Sequence, residues 1–260
     1  MAQVRVLIVR AAGTNCDLET QHAWELAGAH AERIHLRALC EQAPQLSVCQ
    51  ILTLPGGFSY GDDIAAGRIF AVQLQRHLGE ELRAFIDQGG LVLGICNGFQ
   101  VLVQMGLLPK RSASGAARTC TVTYNDPPGF QDRWVYLRAN QTPCRFLDPG
   151  CTYEMPIAHG EGRVLFANET AMQEARAAGH AALSYAGPTA GPNLHGEPCN
   201  PNGSQGDIAG LCDETGRVLG LMPHPERFVT WTQHPCWTSE RPRLEGDGLA
   251  LFRRAVASCR

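Results

Sequence analysis

The chain has 260 residues, 44% of them apolar and 18% charged, with a formal net charge of −3. That length supports one sizeable core, and the balance lacks the basic stripe of a nucleic-acid binder. Eleven cysteines, an odd number without a C-x-x-C pair, exclude a small secreted disulfide framework and a paired-ligand zinc site, so no metal is expected and the thiols are read as reduced.

Val4–Val9 is a compact, mostly apolar run ending at Arg10-Ala-Ala-Gly13, the pattern of a buried strand. Asp17 stands where an N-cap would, ahead of a helix reaching about Ala27. Glu32–Leu36 reads as a second strand. Ile51–Leu54 is a third, stopped by Pro55-Gly56-Gly57. Ile64–Ile86 has helical periodicity. Leu91–Gly94 is a fourth strand, and Asn97–Met105 opens the next helix. Strands alternating with helices indicate a mostly parallel sheet covered on both faces.

After Pro109 the pattern changes. Thr119–Tyr124 and Trp134–Arg138 are short β-branched or aromatic runs of antiparallel character. Thr170–Ala178 is helical, and 187–206, rich in Gly, Pro and Asn, is mostly loop. Ile208–Cys212 and Val218–Leu221 form a hairpin turning at Asp213–Gly216, and Asp247–Val256 is a terminal helix. No linker separates two halves, so residues 1–260 are read as one domain.

Lys110 is the only lysine, and no Gly-Lys-Ser/Thr surrounds it. A Walker-type loop needs that lysine, so any ATP the reaction consumes is expected on another chain. No signal peptide is expected, and no apolar run approaches the roughly 20 residues of a membrane helix. A cytoplasmic protein without membrane contact is the expectation.

The strongest local signal is Leu91-Val-Leu-Gly-Ile-Cys96-Asn-Gly98-Phe-Gln100. A strand runs into Gly-x-Cys-x-Gly and then a helix, the thiol version of the nucleophile elbow. The sharp turn exposes the sulfur, and the helix N-terminus favours its thiolate. The N–H of Asn97 then faces a developing oxyanion. A small buried core cysteine would give a similar run.

The second signal is Met222-Pro223-His224-Pro225-Glu226-Arg227. Each residue before a proline is driven out of the helical region. In an extended chain, His224 and Glu226 project together, and a glutamate beside an imidazole fixes its tautomer. A rigid turn with an incidental His and Glu reads equally well. His159 and Glu161 in Pro156-Ile-Ala-His-Gly-Glu-Gly162 form a rival pair at the same spacing. Gly160 leaves that backbone loose, which makes it the poorer base and suggests a loop contacting substrate or partner. Pro55-Gly56-Gly57 could supply oxyanion-binding amides or simply a tight turn. In Gly13-Thr-Asn-Cys-Asp17, Asn15 and Asp17 are expected to serve turn and cap, and Cys16 is not favoured as a nucleophile.

Together and in this order, these stretches, with Asn200-Pro-Asn-Gly-Ser204 and Asp207-Ile-Ala-Gly210, resemble the class I (triad) glutamine amidotransferases, most closely the PurQ family. The resemblance spans nearly the whole chain. It implies a flavodoxin-like, mostly parallel sheet covered by helices, with a small antiparallel β addition. It implies Cys96 as nucleophile, His224 as acid/base and Glu226 as its orienter, and so places the triad histidine at 224 and not 159. It implies the Gly57 and Asn97 amides at the oxyanion and Gln100 near bound L-glutamine. No cofactor is then expected in this chain. ATP and Mg belong to an ATP-dependent formylglycinamidine ribonucleotide synthetase subunit that takes the ammonia, and a small bridging subunit is compatible. Pro188–Pro198 and Phe228–Pro242 are longer than short forms of the family. The alternatives are a glutaminase serving another synthetase, a cysteine hydrolase of the DJ-1/PfpI type, and a docking subunit with a dead site. Hydrolases of the DJ-1/PfpI type place histidine soon after the nucleophile, where this chain has Asn97.

Overall fold

Apolar runs too short for helices and closed by turn residues become strands, and the longer amphipathic stretches between them become helices. The computed structural model describes residues 3–41, 43–111, 117–188 and 199–259. Along the first part run β1 (Arg5–Arg10), α1 (Asp17–Leu26), β2 (His30–His35), α2 (Leu36–Glu41), β3 (Ile51–Leu54), α3 (Arg68–Asp87), β4 (Leu91–Ile95) and α4 (Asn97–Gln104). There follow β5 (Cys120–Thr123), β6 (Gln131–Ala139), β7 (Thr152–His159), β8 (Arg163–Phe166), α5 (Glu169–Ala177), β9 (Leu183–Ala186), β10 (Ile208–Cys212), β11 (Val218–Leu221) and α6 (Gly248–Ser258).

One sheet of nine strands has the order β2-β1-β3-β4-β11-β10-β9-β6-β7, and β5 with β8 makes a separate antiparallel ribbon. From β2 to β11 every neighbour is parallel, and from β11 to β7 every neighbour is antiparallel. The 2-1-3-4 start is the doubly wound, flavodoxin-like order, in which ligands bind beyond the carboxyl ends of the strands. The segments after β1, β3, β4 and β11 leave from that one edge. α4 packs close to the sheet because its contacts are glycine. A Cβ on Gly98 would fall 1.9 Å from Leu54 O, and one on Gly220 would fall 2.1 Å from Phe99.

Several boundaries differ from the sequence reading for identifiable reasons. Asp17 is the first helical residue and not the cap; its carboxylate pairs with Arg33 at 3.1 Å and Arg10 at 3.4 Å. Leu36 turns away from β2 and buries its side chain at the start of α2. α3 begins at Arg68, after Gly67 in a left-handed conformation, and Ile64 stands exposed outside it. The stretch 156–159, read as part of a loop because Gly160 loosens the backbone, is the end of β7. That strand is the sheet's last, and an edge position tolerates a proline without an N–H. Of the long loop 187–206, residues 189–198 lie outside the described residues, as does most of 188–198.

Residues 228–242 fold into an aromatic cluster rather than trailing free. Trp134 meets Phe228 edge-on at 5.0 Å, His234 stacks on Trp231 at 5.1 Å, and Arg243 lies over Trp231 at 4.9 Å. Glu154, nearly buried, pairs with both His234 and Arg243. Among the described residues no helix is long and apolar enough to cross a membrane.

The helical layer on one face is pinned by Trp24 of α1. Its ring is fully buried, meets Phe252 of α6 edge-on at 4.8 Å, and donates through Nε1 to Thr53 Oγ1 of β3 at 3.0 Å. Trp24→Ala is expected to cost about 3–5 kcal/mol, read from denaturant unfolding. A loss below about 1 kcal/mol would show that this contact does not anchor the layer.

Candidate active site

The carboxyl end of β4 turns sharply into α4 at Cys96, whose backbone sits at φ 50°, ψ −105°. A non-glycine residue in this region is strained by about 1–3 kcal/mol and persists only where its surroundings hold it. Here Cys96 N donates to Leu221 O at 2.8 Å, and Gln100 N donates back to Cys96 O at 3.1 Å. The turn lifts the sulfur off the sheet and sets it over the first turn of α4, where amide dipoles favour negative charge. The thiol is largely buried and is directed at Ala158 O, 3.9 Å away.

β11 ends beside β4, in the register Leu221↔Ile95, and delivers His224 and Glu226 to the same place. His224 Nδ1 and Glu226 Oε1 are 2.6 Å apart, and both side chains are buried. His224 N donates to Pro156 O at 2.8 Å, which ties this segment to β7. Burial works against the His224 cation. The charges of Glu226 and Cys96, with hydrogen-bonding contact from Cys16 and Cys96, outweigh it and hold the imidazole pKa well above its ordinary value. The free ring nitrogen, Nε2, is buried without an aligned partner among the described residues. Such an orphan costs about 1–3 kcal/mol and is a ready partner for a proton donor or acceptor placed against it.

Gly57, after β3, has φ 144°, and a Cβ there would meet the backbone of Gly13, Thr14 and Asn15 within 2.9 Å. Only glycine fits this turn. Among the described residues, neither the Gly57 nor the Asn97 amide donates to a turn or loop carbonyl. The Asn97 side chain is clamped: Nδ2 donates to Asp62 Oδ1 at 3.1 Å and Gln100 Oε1 at 3.0 Å, while Oδ1 accepts from Ser59 N at 3.3 Å. Gln100 Nε2 donates to Glu161 O at 2.5 Å, so its amide braces the 160–161 turn. A cavity of about 260 Å³ opens over Cys96, lined also by Gly57, Gln100, His159, Glu161 and Tyr124. It is the right size for one small amino acid.

His159 shares the cavity wall but not the pairing the sequence suggested. Its Nδ1 faces Asn125 Oδ1 at 3.2 Å rather than Glu161. Asn125 Nδ2 donates to His159 O and Gly129 O, which fixes Oδ1 as the acceptor and Nδ1 as protonated. Burial, together with the nearby His224, pushes the His159 pKa down to about 4.

Cys96, His224, Glu226, Gly57, Asn97 and Gln100 thus converge at one edge of the sheet. Sequence reasoning passed over Cys16, whose sulfur lies within 4.8 Å of ligand atoms of both His224 and Glu226, and Asn125, which sets the His159 tautomer. The signals for Cys16 were its place after β1, at the same edge, and its stretch Gly13-Thr-Asn-Cys-Asp17 among those that carry the resemblance.

Comparison with known proteins fits this geometry. Residues 3–259 match the CobB/CobQ-like glutamine amidotransferase domain. The chain belongs to this glutamine amidotransferase family. It is 43% identical to the phosphoribosylformylglycinamidine synthase subunit PurQ of Dehalococcoides mccartyi, over 98% of each chain. It is 36% identical to the PurQ subunit of Methanococcus maripaludis strain S2, over 97% of this chain and 96% of that one. Among solved structures it resembles a chain of PurLQS from Thermotoga maritima, with a TM-score of 0.71, 28% identity and 98% coverage of both.

The low pKa of His159 has a stability consequence. The unfolded imidazole takes a proton near pH 6.5, the folded one only near pH 4. Folding therefore loses stability as pH falls from 6.5 towards 4 and loses no more from this group below that. A His159→Gln variant is expected to lose less stability than wild type across that window, measured by urea unfolding at pH 7 and pH 4.5. Equal losses would place the His159 pKa near its ordinary value.

Proposed function

We propose that the chain is the glutaminase subunit of phosphoribosylformylglycinamidine synthase, releasing ammonia from L-glutamine for a synthetase partner in purine biosynthesis. The observation that carries this reading is the convergence at one edge of the sheet of a strained Cys96, opening on a cavity that Gly57 and Gln100 also line, with the buried His224–Glu226 pair beside it. Near-full-length similarity to PurQ subunits supplies the pathway.

In this mechanism the Cys96 thiolate attacks the carboxamide carbon of glutamine. The carbonyl oxygen becomes an oxyanion held by the Gly57 and Asn97 N–H groups, at roughly 3–4 kcal/mol per donor in comparable sites. His224, charged and oriented by Glu226, gives its proton to the departing nitrogen, and ammonia leaves as the C–N bond breaks. Water then attacks the γ-glutamyl thioester. His224 takes the proton from that water, glutamate is released, and the thiolate returns. Gln100 and the 160–161 turn it braces shape the glutamine end of the cavity. The neutral His159 does not compete as an acid.

The ammonia passes to an ATP-dependent formylglycinamidine ribonucleotide synthetase subunit, and the resemblance to a PurLQS chain supports an assembly with a small third subunit. This chain supplies no cofactor of its own; ATP and Mg belong to the synthetase. Its place of work is the cytoplasm.

The test separates the two half-reactions in the assembled complex. Cys96→Ala is expected to lower glutamine-dependent synthesis to background, a loss of up to about a million-fold, while synthesis from ammonium salts stays at the wild-type rate. Loss of both would overturn the ammonia-transfer reading, and retention of glutamine use would remove Cys96 from the nucleophile's role.

A further inference from the structure

The glutaminase reading leaves one buried thiol at the triad unexplained. Cys16 follows β1 and is 1% exposed. A Cβ on Gly56 would fall 3.1 Å from the Cys16 sulfur and 2.8 Å from His224 Cε1, so sulfur and ring edge flank the same bare Cα. The sulfur accepts a hydrogen bond from Arg227 Nη2 at 3.1 Å, and its S–H donates to Asn15 Oδ1 at 3.2 Å. Arg227 Nε donates to Glu19 Oε1 of α1 at 2.9 Å.

This arrangement resolves a competition. Arg227 adjoins Glu226 in sequence, and a guanidinium is the strongest available partner for a buried carboxylate. Glu226 nonetheless bonds His224, and its second oxygen, Oε2, is buried with no hydrogen-bond partner among the described residues. The guanidinium is instead taken up on the other side by Glu19 and the Cys16 sulfur.

We propose that Cys16 is a positioning residue whose sulfur holds the Arg227 guanidinium away from Glu226, and so keeps that carboxylate for His224. The proposal rests on the glutaminase reading of the triad. An uncommitted Arg227 would reach Oε2, neutralise Glu226 and deprive the imidazole of its orienter and counter-charge. The groups acting on His224 are Glu226 from its own segment, Cys96 from the elbow, Cys16 from the segment after β1, and His159 from β7, while Arg227 acts on Cys16, Glu19 and Glu226. Of these, Glu226 above all, then Cys96 and the Cys16 contact, favour the imidazolium, and His159 is neutral above about pH 4. Releasing Arg227 therefore removes the principal support for the charged ring.

The experiment measures glutamine-dependent turnover of the complex across pH for Cys16→Ala, Cys16→Ser, Arg227→Met and the Cys16→Ala/Arg227→Met double variant. Synthesis from ammonium salts reports assembly. For Cys16→Ala, kcat is expected to fall by up to about 100-fold with KM for glutamine unchanged. The alkaline limb of kcat/KM moves to lower pH, because the imidazolium is lost earlier. Cys16→Ser keeps an acceptor for Nη2 and stays near wild type. Arg227→Met leaves nothing to compete for Glu226, and in the double variant it restores the limb. An unmoved limb in Cys16→Ala, or a double variant no better than Cys16→Ala, overturns the proposal; a purely packing role predicts that second result. Cys16→Val is the apolar variant to use if the alanine form does not assemble. Failure of the wild-type complex to use glutamine would defeat the glutaminase reading instead.

Discussion

The turn at Cys96 is the constraint on which the site depends. Its backbone conformation is unfavourable in isolation, and three features of the surrounding sheet enforce it. β11 supplies a carbonyl for the Cys96 amide. Gly98 lets α4 approach the carbonyl of Leu54 closer than any side chain would allow. The clamped Asn97 side chain ties the start of α4 to Asp62 and Ser59. The strain is thus covered by packing deep in the parallel half of the sheet, which is why a rigid core precedes the thiol proposed as nucleophile.

The second organising feature is the separation of two imidazoles that share one site. His224 and His159 are both buried, and burial alone would neutralise both. Glu226 reverses that outcome for His224, whereas Asn125, a neutral acceptor, leaves it standing for His159. Two rings of the same chemistry are driven to opposite charge states by one carboxylate and one amide. That is the condition the proposed mechanism sets: a single acid/base and no competing proton store.

Much of this was legible in the sequence because it is local. The elbow, the Pro-His-Pro-Glu segment and the Gly-Gly turn each declare a backbone geometry within a few residues, and the alternation of strands and helices orders the sheet edge where they meet. What escaped was non-local or context-dependent. Leu183–Ala186 turns only Leu183 and Tyr185 inward, too few alternations to announce a strand, and Gly160 made the end of β7 look like a loop. The start of α3 was misjudged because Ile64 fits the helical period while remaining exposed. The role of Asn125 follows from contacts across 34 residues and the setting of Cys16 from contacts across 211. No periodicity encodes either.

The central claim is that glutamine becomes covalently attached to the sulfur at this turn. It is tested most directly by acid-quenching the assembled complex during turnover of labelled glutamine and mapping the labelled peptide. The account predicts an acid-stable, hydroxylamine-sensitive γ-glutamyl adduct on the peptide bearing Cys96. Label on the peptide bearing Cys16, or turnover with no acyl-enzyme on any cysteine, would contradict it.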